Sequence, residues 1–229
     1  MVSKMLIGMV ALAGTTAVAQ AGLTFSFADP APGPQVSFSG GVGGLLTFDE
    51  DVTISFNVDG TSEPNSFVTL FPSARLELAL TVGAATPLNA TDFVASVSGT
   101  FRIYSAGNPD PAQNTILSAV VADGAFLRVG SSSSVNSDSL VFGLSFVAGP
   151  LLQDLLLPGR TIAPQFDAVF TLTDVLNATG GSGIAGPGGG PISAFTANAS
   201  FSGTANVVPT PGAAALVVLG GLAASRRRR

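Results

Sequence analysis

The sequence contains no cysteine and no histidine. Without cysteine, the chain has no disulfides, no thiolate nucleophile and no thiolate metal ligand. Without histidine, it lacks the one side chain whose ordinary pKa lies near neutral pH. Most hydrolase triads, the common zinc sites and most proton shuttles are therefore excluded. Tryptophan is also absent and Tyr104 is the single tyrosine, so the aromatic platforms on which many proteins stack sugars are scarce.

Positive charge is scarce and unevenly placed. Most of the nine basic residues lie at the two ends of the chain, as Lys4 and the arginines at 226–229. The others lie between them: Arg75, Arg102, Arg128 and Arg160. All fourteen acidic residues also lie in this middle region, which therefore carries a formal charge of −10. Nucleic-acid binding requires charge of the opposite sign, so we exclude it as a primary function.

Residues 1–21 have the layout of a secretory signal peptide. Lys4 lies in a short head, an apolar stretch covers residues 5–13, and Ala19-Gln20-Ala21 places small residues where signal peptidase requires them. We predict cleavage after Ala21, directed by Ala19 and Ala21. The alternative is a buried N-terminal helix or strand.

Residues 208–229 form a second targeting segment. Residues 213–224 contain no polar side chain, and as a helix they would extend about 18 Å. That is short of the roughly 30 Å hydrocarbon core of a bilayer, so the segment spans only with thinning or snorkelling. A stop-transfer cluster follows: Arg226, Arg227, Arg228 and Arg229. Its charge would hold the C-terminus in the cytoplasm.

This tail resembles the PEP-CTERM sorting signal, and it is similar to variants common in planctomycetes. The family pattern is a Pro-Glu-Pro-like motif, a short helix rich in Gly, Ala and Leu, and terminal arginines. Here the motif is Pro209, Thr210 and Pro211, with threonine in place of glutamate. The resemblance implies recognition by an exosortase, cleavage near the motif and delivery from the inner membrane to the cell surface or the extracellular matrix. The alternative is an ordinary C-terminal membrane anchor.

Residues 22–207 are predicted to form one all-β domain. Apolar residues alternate strictly with polar ones, which indicates strands with one buried face. The alternating apolar sets are Val52 to Val58, Leu76 to Val82, Phe93 to Ile103, Leu140 to Phe146, Phe166 to Leu172 and Phe195 to Val207. We expect about eight to eleven antiparallel strands in a jelly-roll-like β-sandwich, with a closed barrel as the alternative.

Three local predictions accompany this pattern. Residues 151–157, between Pro150 and Pro158, would form one short turn of helix. Asp123-Gly124 between two apolar runs predicts a hairpin. The glycine-rich residues 180–191 predict a loop, and not a domain boundary, because a long strand follows them.

Few residues suggest chemistry. Asp49, Glu50 and Asp51, with Asp59 further on, could bind calcium, but their spacing matches no EF-hand loop and we favour a solvated turn before the strand at Val52. Tyr104 could contact a sugar or lie at the rim of a strand. Residues 131–134 are a serine run with no histidine or lysine nearby in the domain to act as a base. We assign no catalytic, cofactor-binding or metal-binding residue and predict that the protein is not an enzyme.

Three functions fit these observations. The first is a non-enzymatic cell-surface or extracellular-matrix protein, whose partners are signal peptidase, an exosortase-like enzyme and the inner membrane. The second is a carbohydrate- or ligand-binding module, with calcium assistance and an extracellular polysaccharide as candidate partner. The third is an enzyme that uses carboxylates alone, such as a glycosidase.

Overall fold

The computed structural model describes residues 22–28, 30, 32–89, 92–121, 126–130, 137–181, 184, 188–210 and 212; it does not describe the side chains at 126–130, 137–145 and 164–167. The strands are β1 (Gly22–Phe27), β2 (Val36–Phe38), β3 (Gly44–Phe48), β4 (Ile54–Gly60), β5 (Phe67–Pro87), β6 (Asp92–Ser105), β7 (Thr115–Val121), β8 (Phe126–Gly130), β9 (Ser137–Ala148), β10 (Arg160–Asn177) and β11 (Phe195–Pro209). Two four-residue helices are present, α1 (Pro111–Asn114) and α2 (Pro150–Gln153).

The strands pair antiparallel in a closed ring. The order around it is β1, β4, β5, β6, β7, β9, β10, β11 and back to β1. The short strands β2 and β3 join β11 to β5, and β8 lies between β6 and β9. The predicted all-β antiparallel class is confirmed. Jelly-roll connectivity is not confirmed by this order.

The interior of the ring is the hydrophobic core. Where side chains are described, the alternating apolar residues lie inside it, as predicted, except Val52, which precedes β4 and is only partly buried. Leu76, Leu78, Leu80 and Val82, for example, are all buried. Phe201 of β11 contacts phenylalanines from four other strands, with ring centroids 5.5–6.4 Å apart: Phe27, Phe56, Phe101 and Phe170. These contacts join opposite sides of the ring.

The predicted hairpin at Asp123-Gly124 is wrong. A hairpin would pair β7 with β8, but Val121 pairs with Gly99 of β6, and Phe126 pairs with Ser96 of the same strand. The two strands therefore run in the same direction, end to end, beside β6 and β9. An apolar run, a turn dipeptide and a second apolar run describe an interrupted strand as well as a hairpin. Residues 122–125 themselves lie outside the described part of the chain.

Both helices are single turns. Helix α2 confirms the turn predicted between the two prolines. Helix α1 was not predicted, although Asp110-Pro111 is a recognisable start: the Asp110 side chain accepts a hydrogen bond from the Ala112 N–H, and proline occupies the first helical position. In the loop at 180–191, Gly190 exchanges two backbone hydrogen bonds with Ala85, so this part of the loop is fixed to β5.

Most of the two targeting segments lies outside the described residues. This part comprises residues 1–21 with Ala19 and Ala21, Pro211, the apolar stretch 213–224, Ser225 and the four terminal arginines. Of the second segment, residues 208–210 and 212 are described. Within the described residues, no helix has the length and apolar character needed to cross a membrane.

Candidate functional site

The acidic residues considered as calcium ligands are not brought together. Asp49 Oδ1 accepts a hydrogen bond from the Asp51 N–H in an exposed turn. Asp59 Oδ1 accepts one from the Thr61 N–H at 2.8 Å, and this bond lowers the pKa of Asp59 below 3.8. Across the described ranges, no group of three or more acidic side chains is placed to hold a metal ion.

A concave site lies on the outer face of β5 and β6. Arg75 is paired with Tyr104 in the sheet register, and Glu77 is paired with Arg102, so the four side chains form a two-by-two patch. The turn at Glu50 and the segment 106–114 rise around it and enclose a pocket of about 370 Å³. We call it the Arg75 pocket. It gathers the only tyrosine of the chain and two of the four arginines of the middle region.

Arg102 is held rigidly in the wall of the pocket. Its Nε donates to Thr115 Oγ1 at 3.0 Å, Nη1 to Glu77 Oε2 at 3.0 Å and Nη2 to Asn114 Oδ1 at 2.5 Å. Its guanidinium carbon lies 4.5 Å from the centre of the Tyr104 ring, which is cation–π distance. The buried Asn114 in turn donates to the Asn108 carbonyl at 2.6 Å. Arg102 therefore fixes both the Tyr104 ring and the segment that encloses the pocket.

The guanidinium group of Arg75 has fewer partners in the described structure than that of Arg102. Its Nε is buried and has no hydrogen-bond partner among the described residues. Its one ion pair, from Nη1 to Asp51 Oδ1, is 3.6 Å long, and the Asp51 side chain is 98% exposed. A buried guanidinium nitrogen without an acceptor is energetically costly, which makes Arg75 a candidate for contact with a bound group.

A second depression adjoins the first across Arg102 and Glu77. It has a volume of about 330 Å³, and its exposed apolar side chains are Val120 and Val147. Val120 and Val147 are exposed by 59% and 61%. The outer face of β5, β6 and β7 thus combines a polar pocket with an apolar extension.

Sequence reasoning located only part of this site. Tyr104 was considered for sugar contact, but Arg75, Glu77, Arg102 and Asn114 were not singled out. The alternation does predict that the first three point away from the core. What it cannot supply is the register that sets Arg75 beside Tyr104, since these residues lie on strands joined by a separate turn.

The two ends of the domain meet at one pole, which we define as the region around Gly22, Arg160 and Pro209. Gly22 of β1 pairs with Asn206 of β11, and Arg160 of β10 pairs with Pro209. At about 3.3 Å per residue, Gly22 and Pro209 are roughly 10 Å apart along β11. Of the predicted sorting motif, Pro209 ends β11, the Thr210 N–H donates to the Gly159 carbonyl at 2.8 Å, and Pro211 is not described.

A buried ion pair lies at this pole. Arg160 Nη1 donates to Glu63 Oε2 at 2.8 Å, with the side chains only 15% and 1% exposed. Glu63 belongs to the loop between β4 and β5, so the pair ties that loop to the start of β10. Glu63 Oε1 is buried without a hydrogen-bond partner among the described residues. Burial raises the pKa of Glu63 above its ordinary 4.5, and the nearby Arg160 only partly offsets this.

The raised pKa of Glu63 predicts a pH dependence of stability. Folded Glu63 retains its proton to higher pH than unfolded Glu63, so its contribution to the free energy of unfolding is most favourable below pH 4.5. That contribution falls as pH rises through the folded-state pKa. We expect native protein to lose stability relative to Glu63→Gln between pH 4 and neutrality, as measured by urea unfolding at each pH. A constant difference between the two proteins would contradict the prediction.

Comparison of the chain with family models, curated proteins and solved structures gave no match.

Proposed function

We propose that this protein is an exported, non-enzymatic component of the bacterial cell surface or extracellular matrix. Signal peptidase removes residues 1–21, the apolar tail holds the chain in the inner membrane, and an exosortase-like enzyme processes it near Pro209, Thr210 and Pro211. The β domain is then the part delivered outside. We further propose that its closed ring is flattened into two packed layers, as in a jelly-roll-like sandwich.

The observation that carries this proposal is the position of the two ends. Gly22 and Pro209, which border the two predicted targeting segments, lie at the same pole, because Gly22 of β1 pairs antiparallel with Asn206 near the end of β11. One membrane can therefore hold both segments while the folded domain lies on one side of it.

The strand pairing at this pole also restricts where the exosortase-like enzyme can cleave the chain. Val207, Val208 and Pro209 pair with β10, and Thr210 makes a further backbone hydrogen bond to Gly159. A protease that binds its substrate as an extended chain cannot enclose residues that are already paired in a sheet. We therefore place the cleavage after Thr210, where no strand pairing is described.

The tail arginines provide the test of the proposal. In an exosortase-carrying bacterium, replacing all four with glutamine should impair membrane retention, because the positive charge of lysine and arginine holds a segment end in the cytoplasm and glutamine carries no charge. We expect most molecules to escape processing, as scored by cell fractionation and immunoblotting. The matched control replaces all four with lysine, which keeps the charge and should behave as the native chain does. Equal fractions of processed surface protein in all three forms would contradict the proposal.

A second candidate function is a carbohydrate- or ligand-binding module, and the Arg75 pocket is the specific observation that favours it. The pocket offers a ring, carboxylates, amides and guanidinium groups within one concavity. Binding of a ligand and delivery to the surface are compatible in one protein.

A further inference from the structure

We propose that the Arg75 pocket binds a sugar acid, meaning a polyhydroxylated ligand with a single carboxylate, such as a uronic acid unit. This inference goes beyond the sorting of the protein and does not depend on it. It rests on the buried Nε of Arg75 that has no partner in the described structure, on the mixed lining of the pocket, and on the presence there of the only tyrosine and two of the four arginines of the middle region.

The carboxylate is assigned to Arg75. A guanidinium has five N–H donors. In the described structure the Nε of Arg75 is buried without a hydrogen-bond partner, and its Nη1 has only the 3.6 Å contact with Asp51. Planar carboxylates match the fork of N–H groups on a guanidinium and accept two parallel hydrogen bonds. Asp51 does not accept such paired hydrogen bonds from Arg75, because its carboxylate oxygen lies 3.6 Å from Nη1 and its side chain is almost fully exposed.

The hydroxyl groups of the ligand are assigned to the other residues that line the pocket. Glu50 and Glu77 offer acceptors, and Asn108 and Asn114 add amide groups. Tyr104 contributes both a ring and a phenol, and Arg102 fixes the orientation of its ring. A volume of about 370 Å³ accommodates one or two sugar rings.

Charge restricts the ligand to a single negative group. Of the two guanidinium groups in the pocket, that of Arg102 already donates to Glu77, Asn114 and Thr115. Glu50 and Glu77 line the same space, and the domain carries a formal −10. A phosphate dianion would meet more repulsion than attraction, whereas one carboxylate balances Arg75.

The chain contains its own probe for this test. Tyr104 lines the pocket and is the only tyrosine, and there is no tryptophan, so intrinsic fluorescence reports on this pocket alone. The full-length chain, kept soluble in a neutral detergent, is titrated with glucuronate and galacturonate. At least one should change the fluorescence saturably, with a Kd of about 1 mM or below. Glucose, acetate and inorganic phosphate should each bind about tenfold more weakly or worse.

The matched variants are Arg75→Gln and Arg75→Lys. The first removes the charge and should weaken the binding of the sugar acid about tenfold or more, without altering the response to glucose. The second keeps the charge but loses the fork and should give an intermediate Kd. Thermal unfolding of each variant confirms that it is folded.

Three results would overturn the inference: no saturable response to either uronic acid, a response that Arg75→Gln leaves unchanged, or acetate binding as tightly as glucuronate. None of these would affect the location or the processing of the protein, which the tail variants test separately.

Discussion

Arg160→Met is expected to lower the free energy of unfolding at pH 7 by about 3–5 kcal/mol. The change keeps a long apolar side chain but removes the positive charge that lies 2.8 Å from Glu63 Oε2. Glu63 is 1% exposed, and its Oε1 already lacks a partner in the described structure. An ionised carboxylate would then be buried without a counter-charge. Removing one partner of a buried ion pair is costly for this reason. Urea unfolding followed by circular dichroism measures the loss.

The double variant Arg160→Met with Glu63→Gln separates this mechanism from a simple loss of packing. Without the buried charge, most of the lost stability should return, and lowering the pH toward 4 should rescue the single variant in the same way. The exposed pair serves as an internal control: Asp51→Asn should change stability by less than about 1 kcal/mol. If the double variant is as unstable as Arg160→Met, the buried carboxylate is not the cause.

Phe201→Ala is the second change with a large expected effect, about 3–5 kcal/mol of destabilisation. Phe201 is 3% exposed and contacts phenylalanines of β1, β4, β6 and β10, so truncation opens a cavity where opposite sides of the ring meet. Strands closed in a ring cannot easily move inward to fill it. Urea unfolding again supplies the measurement.

Two further variants serve as controls for Phe201→Ala. Phe201→Leu leaves a smaller cavity and should cost clearly less than alanine. Val68→Ala shortens an apolar side chain that is 60% exposed, so it should cost less than about 0.5 kcal/mol. If Phe201→Ala lowers the free energy of unfolding no more than Val68→Ala does, the Phe201 side chain is not a central contact of the core.

The sequence pattern was sufficient to predict the fold class and most of the core. Period-two alternation places side chains on opposite faces of a strand regardless of its neighbours, so Ile54, Phe56 and Val58 could be assigned inward without knowing the topology. Partner choice is different, because it depends on the whole set of strands. Strands β7 and β8 therefore looked like a hairpin but lie end to end beside β6.

The same limit applies to the functional residues. Glu63 and Arg160 are 97 positions apart, and neither lies in a recognisable motif. Arg75 and Tyr104 are neighbours only because of the register between β5 and β6. Targeting segments, in contrast, are recognised as linear patterns by other proteins, so the sequence displays them directly even though the described structure contains only residues 208–210 and 212 of them.

The most direct test of the proposed export and sorting is the intact mass of the protein recovered from the surface of the cells that make it. We predict a chain that begins at Gly22 and ends at or after Thr210, without the terminal arginines. Full-length protein in the cytosol, with both Met1 and Arg229 retained, would contradict the account.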